Sequence, residues 1–456
     1  MSVDTGTDRW GESLSRRLGL WSAVAVVIGS TIGSGIFRTP ASVADKIGDV
    51  PLFIIAWIAG GVLALCGALT YAELAALFPR SGGIYVYLRE AFGPLTAFLF
   101  GWAELWIIRP GAFGAIGITA SAYTLRTLGL DPAAPIGPLR SEQLLGAVYI
   151  AIVALVNYFG IHRGAILQNI STVLKSAALL ILVVLGLTIG RSSGIPVTEI
   201  FSQHSTVQLS AFFLALVSIL WAYDGWADLS FVGGEVRDPH RTMPRALVVG
   251  TAFVVILYLA ANFTYLSLIP MSQMRGAELV AADVAMILFG SIGVVFVSAA
   301  IAVSTFGTLN GSMMTAPRIF FAMAEDGMFP KKIAKIDPET KAPTGAILLT
   351  AALGIIFVSI RTFTDLANQF VIGIWPFYAL AVAAVFVLRR TRPDMDRPYR
   401  VWGYPFVPIL FLLGSLLLLG NYLINEPLSF GIDLLLIVLG VPFYIMWRRL
   451  RKPEPR

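Results

Sequence analysis

Stretches of about 20 mostly apolar residues recur along this 456-residue chain, from near residue 20 to near residue 448. That is the length of helix that crosses a hydrocarbon core of about 30 Å. Few folds are open to such a chain. In lipid every backbone N–H and C=O must be paired within its own segment or against a neighbour, which leaves helices as the spanning element for windows this long. Read against glycine, proline and charge, the windows predict spans near 20–47, 51–78, 93–125, 143–160, 165–190 and 210–235, then near 245–269, 289–323, 343–360, 365–389, 402–424 and 430–448. Only 13% of residues are charged, against about 25% in an average soluble domain. The expected class is an all-α membrane protein with 12 transmembrane helices.

The net charge of +6 would suit a nucleic-acid partner if it formed a patch. Instead Lys and Arg gather in every second loop, with clusters at Lys331–Lys341, Arg389–Arg400 and Arg448–Lys452 falling on one side. That alternation orients a membrane protein; it places both termini in the cytoplasm of a cell whose plasma or inner membrane holds the chain. Its partners are therefore the lipid bilayer and a small solute, with no nucleic acid. The first apolar window is too long for the core of a cleavable signal peptide and lacks a cleavage site, so residues 1–17 read as a short polar N-terminus. Cys66 is the sole cysteine, so no intramolecular disulfide forms.

The spans also repeat. Spans 1 to 5 begin near 20, 51, 93, 143 and 165, and spans 6 to 10 near 210, 245, 289, 343 and 365, an offset of roughly 190–200 residues each time. Five is odd, so the second copy must enter the membrane from the opposite face. Inverted repeats of this kind build secondary transporters, with the solute bound near mid-membrane where the two copies meet. The core is accordingly expected over 18–390, as repeats 18–190 and 207–390. Two C-terminal helices follow over 391–450, then a cytoplasmic tail over 451–456.

Matching positions of the two copies should then be interrupted. Span 1 carries Gly29-Ser30-Thr31-Ile32-Gly33-Ser34-Gly35, and span 6 carries Tyr223-Asp224-Gly225-Trp226-Ala227-Asp228 followed by Gly233-Gly234. A helix-interior glycine costs about 1 kcal/mol relative to alanine, and non-helical backbone survives in a membrane only where protein or a cavity covers it. Gly33 to Gly35 lie about 20 Å from the inner end of span 1 at 1.5 Å per residue, and Tyr223 and Gly225 lie at a similar depth from the other side. A half-helix starting after Gly35 aims free N–H groups at the break and favours a carboxylate. A half-helix ending near Tyr223 aims carbonyls at it and favours an ammonium group. A zwitterionic amino acid fits between those poles. The competing reading is that these glycines only let helices pack closely, as in Gly29 to Gly33.

At these residues the chain resembles the amino acid–polyamine–organocation superfamily and, within it, the L-type amino acid transporter family. Gly29-Ser30-Thr31-Ile32-Gly33-Ser34-Gly35-Ile36-Phe37 is similar to that family's first broken helix. Tyr71-Ala72-Glu73-Leu74 with Pro79-Arg80-Ser81-Gly82-Gly83-Ile84-Tyr85-Val86-Tyr87-Leu88 and Phe92-Gly93 is similar to its second and third helices and their loop. Trp221-Ala222-Tyr223-Asp224-Gly225-Trp226 resembles the second break. Phe306-Gly307-Thr308-Leu309-Asn310, Arg318-Ile319-Phe320-Phe321 and Gly327-Met328-Phe329-Pro330 resemble the end of helix 8. The resemblance implies a five-plus-five inverted-repeat fold with two extra helices, moving L-amino acids by alternating access as an exchanger or uniporter. It implies that amides around Gly33, Ser34 and Gly35 hold the substrate carboxylate. Carbonyls of Thr31, Trp221 and Asp224 would hold the amino group, with Tyr223 and Gly225 completing the break and the Trp221 ring gating it. Two departures stand out. Ala227 replaces a polar amide frequent in the family, and residues 126–142 hold no cysteine of the kind that links some members to a heavy subunit.

Charged residues within spans bear on the energy source. Lys175 lies about 15 Å deep in span 5, too deep to snorkel, so it should be paired or should touch the carbonyls of a break. By the resemblance, a lysine here stands where sodium-coupled relatives hold a cation, making transport sodium-independent. Two other readings stay open, a structural ion pair and a titrating lysine that couples protons. Asp224 is open to two readings, a partner for a cationic substrate side chain or a local cap. Arg109, before Pro110 and Gly111, reads as structural, and Glu73 and Glu104 also lie within spans. His162, His204 and His240 all read as loop residues.

Other classes fail on missing parts. An intramembrane hydrolase needs a catalytic dyad or metal-binding helix within the spans, a channel needs a selectivity loop, and an ATP-driven pump needs a phosphate-binding loop. None is visible, and no cofactor or metal is expected. A polyamine antiporter and a proton-coupled symporter remain as alternatives to amino acid exchange.

Overall fold

The computed structural model describes residues 16, 18–159, 161–188, 209–277, 279–334, 337 and 342–450. The first helices are α1 (Leu20–Thr31), α2 (Gly35–Lys46), α3 (Val50–Leu77), α4 (Ile84–Phe92) and α5 (Pro94–Ala103). A π-helical turn over Glu104–Ile108 leads into α6 (Arg109–Thr127). A small antiparallel hairpin, β1 (Pro135–Ile136) with β2 (Leu139–Arg140), precedes α7 (Ser141–Tyr158) and α8 (Ile161–Thr188). Then come α9 (Leu209–Tyr223), α10 (Asp228–Phe231), α11 (Pro239–Leu268), α12 (Met271–Met274), α13 (Val280–Thr315), α14 (Pro317–Glu325) and α15 (Lys331–Ala334). The last are α16 (Thr344–Ile360), α17 (Phe363–Thr391), α18 (Phe406–Asn425), α19 (Pro427–Val438) and α20 (Gly440–Leu450).

Among the described residues, 10 helical stretches are long and apolar enough to cross a membrane, some joining two helices across a break. Two shorter apolar helices, α9 and α16, add 15 and 17 residues. Local chemistry sets several ends: Asp49 caps α3 by accepting from the Leu52 N–H at 2.8 Å, and Thr362 with Asp365 forms a reciprocal cap on α17. The α5–α6 stretch is 94% buried over its most apolar window and the α19–α20 stretch only 17%. So α6 forms the centre of the molecule, while α19 and α20 hold side chains such as Leu428 and Leu435 outward. An apolar exterior around a polar-lined centre is the arrangement a bilayer requires.

Three spans begin earlier than the sequence reading places them, at Ile161, Pro239 and Val280. The helix expected near 289–323 begins at Val280, and Gly290 sits inside it with φ 64°. Asp283 in its first turn and a glycine at a left-handed position both weaken the apolar signal there. His162 and His240 are each the second residue of a helix, α8 and α11, rather than loop residues; His204 lies outside the described residues. Charged and polar helix ends fall outside an apolar window, so the windows start late.

Near the end of α3, Glu73 is buried and receives Arg389 of α17 in a two-pronged pair, Nη2 to Oε2 at 2.6 Å and Nε to Oε1 at 3.0 Å. The Val401 N–H donates to Oε2 at 2.8 Å, and Arg397 lies 3.5 Å away. A forked guanidinium pair fixes geometry as well as charge. Glu73→Gln is expected to weaken this tie between α3 and α17 by about 1–3 kcal/mol, read as a lower thermal midpoint of the detergent-solubilised protein. An unchanged midpoint would mean the tie is dispensable.

Candidate functional site

The two glycine-rich breaks lie where the sequence puts them, and they touch. The first helix stops at Thr31 and resumes at Gly35, with 32–34 non-helical. The second stops at Tyr223, turns through 224–227 and resumes briefly at Asp228. A Cβ on Gly35 would sit 2.3 Å from the Cα of Ala222. Gly225 has φ +111°, and a Cβ there would sit 2.6 Å from the backbone carbon of Ser30. Glycine is therefore required on both segments for the crossing. The packing and break readings hold together: close approach is what brings the two interruptions to one place.

A small cavity, partly open, lies at the crossing. Thr31, Gly33, Ser34 and Gly35 line it from the first break, and Trp221, Asp224 and Gly225 from the second. Tyr223 does not join them. Its ring packs against Trp57 and Tyr258, with centroids 5.7 and 5.4 Å away, on the side facing α3 and α11. The backbone turn after Tyr223 redirects successive side chains, so Asp224 faces the cavity and Tyr223 does not. The Thr31 carbonyl accepts from the Tyr258 hydroxyl at 2.9 Å, which ties the first break to α11. The Trp221 and Gly225 carbonyls accept from the N–H groups of Asp224 and Asp228 at 3.3 and 3.1 Å.

Lys175 on α8 is fully buried and reaches the first break from behind. Its Nζ donates to the Gly29 carbonyl and, at 2.9 Å, to Thr308 Oγ1 of α13. Thr308 lies 3.1 Å from the Ile32 carbonyl and donates toward it. One ammonium group thus ties the Gly29 carbonyl, in the last turn of α1, to α8 and α13. Orphaned helix-end carbonyls need such a donor, and an ammonium group supplies up to three.

Asp224 caps no helix; its Oδ1 accepts from the Tyr378 hydroxyl of α17 at 2.7 Å. Arg109, read from sequence as structural, lines the cavity. Its Nε donates to Glu104 Oε2 at 2.6 Å, and its Nη2 lies 3.7 Å from Asp228 Oδ1. The cause is the π turn. Residues five apart in an α-helix point about 140° away from each other at 3.6 residues per turn, whereas the wider turn, closed by the Arg109 N–H on the Glu104 carbonyl, brings them onto one face. Periodicity alone does not reveal that pairing. Phe370, Ala112, Ile116 and Ser312 also line the cavity and carried no sequence signal.

Contacts flank the cavity on both sides. Trp221 stands edge-on to Phe370 and Phe363, centroids 5.1 and 6.2 Å away, and the Arg38 guanidinium lies 4.6 Å above the Phe363 ring. Toward the other face, the Gly82 N–H donates to the Phe231 carbonyl at 3.0 Å. There Leu18 pairs with the backbone at 235–237, and Arg318 Nε meets Glu235 Oε1 at 2.9 Å.

Comparison with known proteins agrees with this architecture. A family model described as amino acid permease matches residues 18–444. The chain is 33% identical to the serine/threonine exchanger of Bacillus subtilis (strain 168), over 94% of this chain and 96% of that one. It is 32% identical to the human b(0,+)-type amino acid transporter 1, over 95% of this chain and 88% of the relative. It is 32% identical to the human large neutral amino acids transporter small subunit 2, over 98% and 83%. Full-length similarity of this kind, together with a helical membrane fold broken at two touching glycine segments, makes the chain a member of the amino acid permease family, in its L-type amino acid transporter branch.

Proposed function

We propose that this chain is a sodium-independent exchanger of L-amino acids working by alternating access. The observation that carries the reading is Lys175, whose ammonium group sits behind the first break and donates to the Gly29 carbonyl and the Thr308 hydroxyl. A fixed cation there does what a bound metal cation would do, so no sodium need enter with the substrate. In this reading Gly33, Ser34 and Gly35 present amides to the substrate carboxylate. Carbonyls of Thr31, Trp221 and Asp224 take the amino group, Gly225 allows the crossing, and the Trp221 ring gates the outer side.

The same proposal assigns 12 spans, with α9 continuing through its break as the sixth and α16 as the ninth. Repeats 18–190 and 207–390 invert about the cavity, and helices over 391–450 lie outside the core; the tail expected over 451–456 lies outside the described residues. Both termini face the cytoplasm, because the Lys331–Lys341, Arg389–Arg400 and Arg448–Lys452 clusters share that side. The chain lies in the cell membrane and needs no disulfide-linked heavy subunit, since residues 126–142 lack cysteine and Cys66 is buried. Exchange, rather than one-way uptake, is supported by the name of the Bacillus relative.

The test is trans-stimulation. Proteoliposomes loaded with unlabelled neutral L-amino acid should take up labelled L-amino acid several-fold faster than empty ones. Equal rates in loaded and empty vesicles would rule out obligatory exchange.

A further inference from the structure

Several arginines on the face where α1 begins are held by acids. Arg318 meets Glu235 at 2.9 Å, Arg389 meets Glu73 at 2.6 Å and Arg392 meets Glu90 at 2.8 Å. Arg241 and Arg245, in the first two turns of α11, differ from these. Both are exposed, and neither forms an ion pair or a side-chain hydrogen bond among the described residues. Asp238, at the N-cap position of α11, is the nearest acid in sequence, and it is joined to neither arginine.

Below this charge the same face of α11 turns apolar. At 3.6 residues per turn, Arg241, Arg245, Val249, Phe253 and Ile256 fall within about 120° of one another. The three apolar members are 51%, 40% and 69% exposed. Arg245 directly precedes the apolar run that starts at Ala246, so it stands where hydrocarbon gives way to headgroups.

Helix α1 supplies a second wall. A Cβ on Gly250 would sit 2.7 Å from Val27 Cγ1, so α1 and α11 touch there. From that contact, Trp21 lies about two turns toward the start of α1, and Arg245 about one and a half turns toward the start of α11. Trp21 is 77% exposed although its ring is large and apolar, which suits an indole at the headgroup level. Leu18 pairs with the backbone at 235–237, so the two helices start on one face of the molecule.

We propose that the seam between the starts of α1 and α11 binds an anionic phospholipid. Arg241 and Arg245 take the phosphate, whose oxygens match the guanidinium fork. The Trp21 indole lies level with the glycerol, and an acyl chain runs along Val249, Phe253 and Ile256. A soluble phosphate would use the arginines and leave the apolar stripe without a role; a lipid uses both. A zwitterionic headgroup brings its own ammonium group, so two unpaired cations favour a headgroup of net negative charge. The bound lipid joins the same two segments that Leu18 joins.

The full chain in detergent is titrated with fluorescently labelled phosphatidylglycerol and, separately, with labelled phosphatidylcholine. Phosphatidylglycerol is expected to bind at least about tenfold more tightly. Arg241→Gln combined with Arg245→Gln should remove most of that preference. Arg448→Gln, an exposed arginine on α20, which packs against α5, should keep it. Equal affinity for the two lipids in the wild-type chain overturns the inference. So does a preference retained in the double variant, or lost equally in Arg448→Gln. Displacement of the labelled lipid by glycerol 3-phosphate as readily as by unlabelled phosphatidylglycerol also overturns it, because a soluble anion would then be the ligand.

Discussion

Replacing Lys175 with methionine is expected to lower sodium-free amino acid exchange at least about tenfold, because the loss of one charged donor leaves the buried Gly29 carbonyl and Thr308 hydroxyl without it. The ammonium group is what holds Gly29 of the first break to Thr308, and through Thr308 to Ile32. Methionine keeps the length of the side chain and its packing, so the loss isolates the donor from the bulk. Unwound backbone at mid-membrane has no water to fall back on, so the segment should shift from the geometry that lines the cavity. Initial rates of labelled uptake into loaded vesicles, normalised to reconstituted protein, read the effect. A methionine variant exchanging at the wild-type rate would show that the break holds its shape unaided.

The second large effect concerns folding rather than transport. Arg109→Met removes the one cation between Glu104 and Asp228, both buried. Breaking a buried ion pair from one side costs about 3–5 kcal/mol, because the partner is left charged with no counter-charge. The midpoint of thermal unfolding should fall sharply. Adding Glu104→Leu should recover part of the loss, since the π turn then no longer faces an unpaired carboxylate. If the double variant is no better than the single one, Arg109 acts mainly through Asp228 or through its stacking on Phe231, 5.3 Å from the ring centroid.

Much of this molecule was legible in the sequence because lipid leaves so few options. Apolar windows located α3, the α5–α6 stretch and α17 to within a few residues, and glycine spacing located both breaks. Lys175 was legible for the same reason: a charge about 15 Å deep must find a partner, and the Gly29 carbonyl, in the last turn before the first break, is one of those it meets. What stayed hidden depended on contacts between helices, or on local departures from regular geometry. Glu104 and Arg109 look unrelated on a 3.6-residue wheel and meet only because the helix widens to a π turn there. Tyr223 belongs to the broken segment by position, yet the turn sends its ring to Trp57 and Tyr258 and leaves Asp224 at the cavity. Tyr378 and Phe370, more than 140 residues further along the chain, are joined to the site by packing of α17 alone. Hydropathy and motif spacing carry no trace of that.

The central claim is that a lysine in place of a metal cation shapes an amino acid site at two crossing helix breaks. Initial uptake of labelled L-amino acid into amino-acid-loaded proteoliposomes, with sodium on both sides replaced by choline, tests it directly. Rates equal with and without sodium are expected; uptake that disappears when sodium is withdrawn would contradict it.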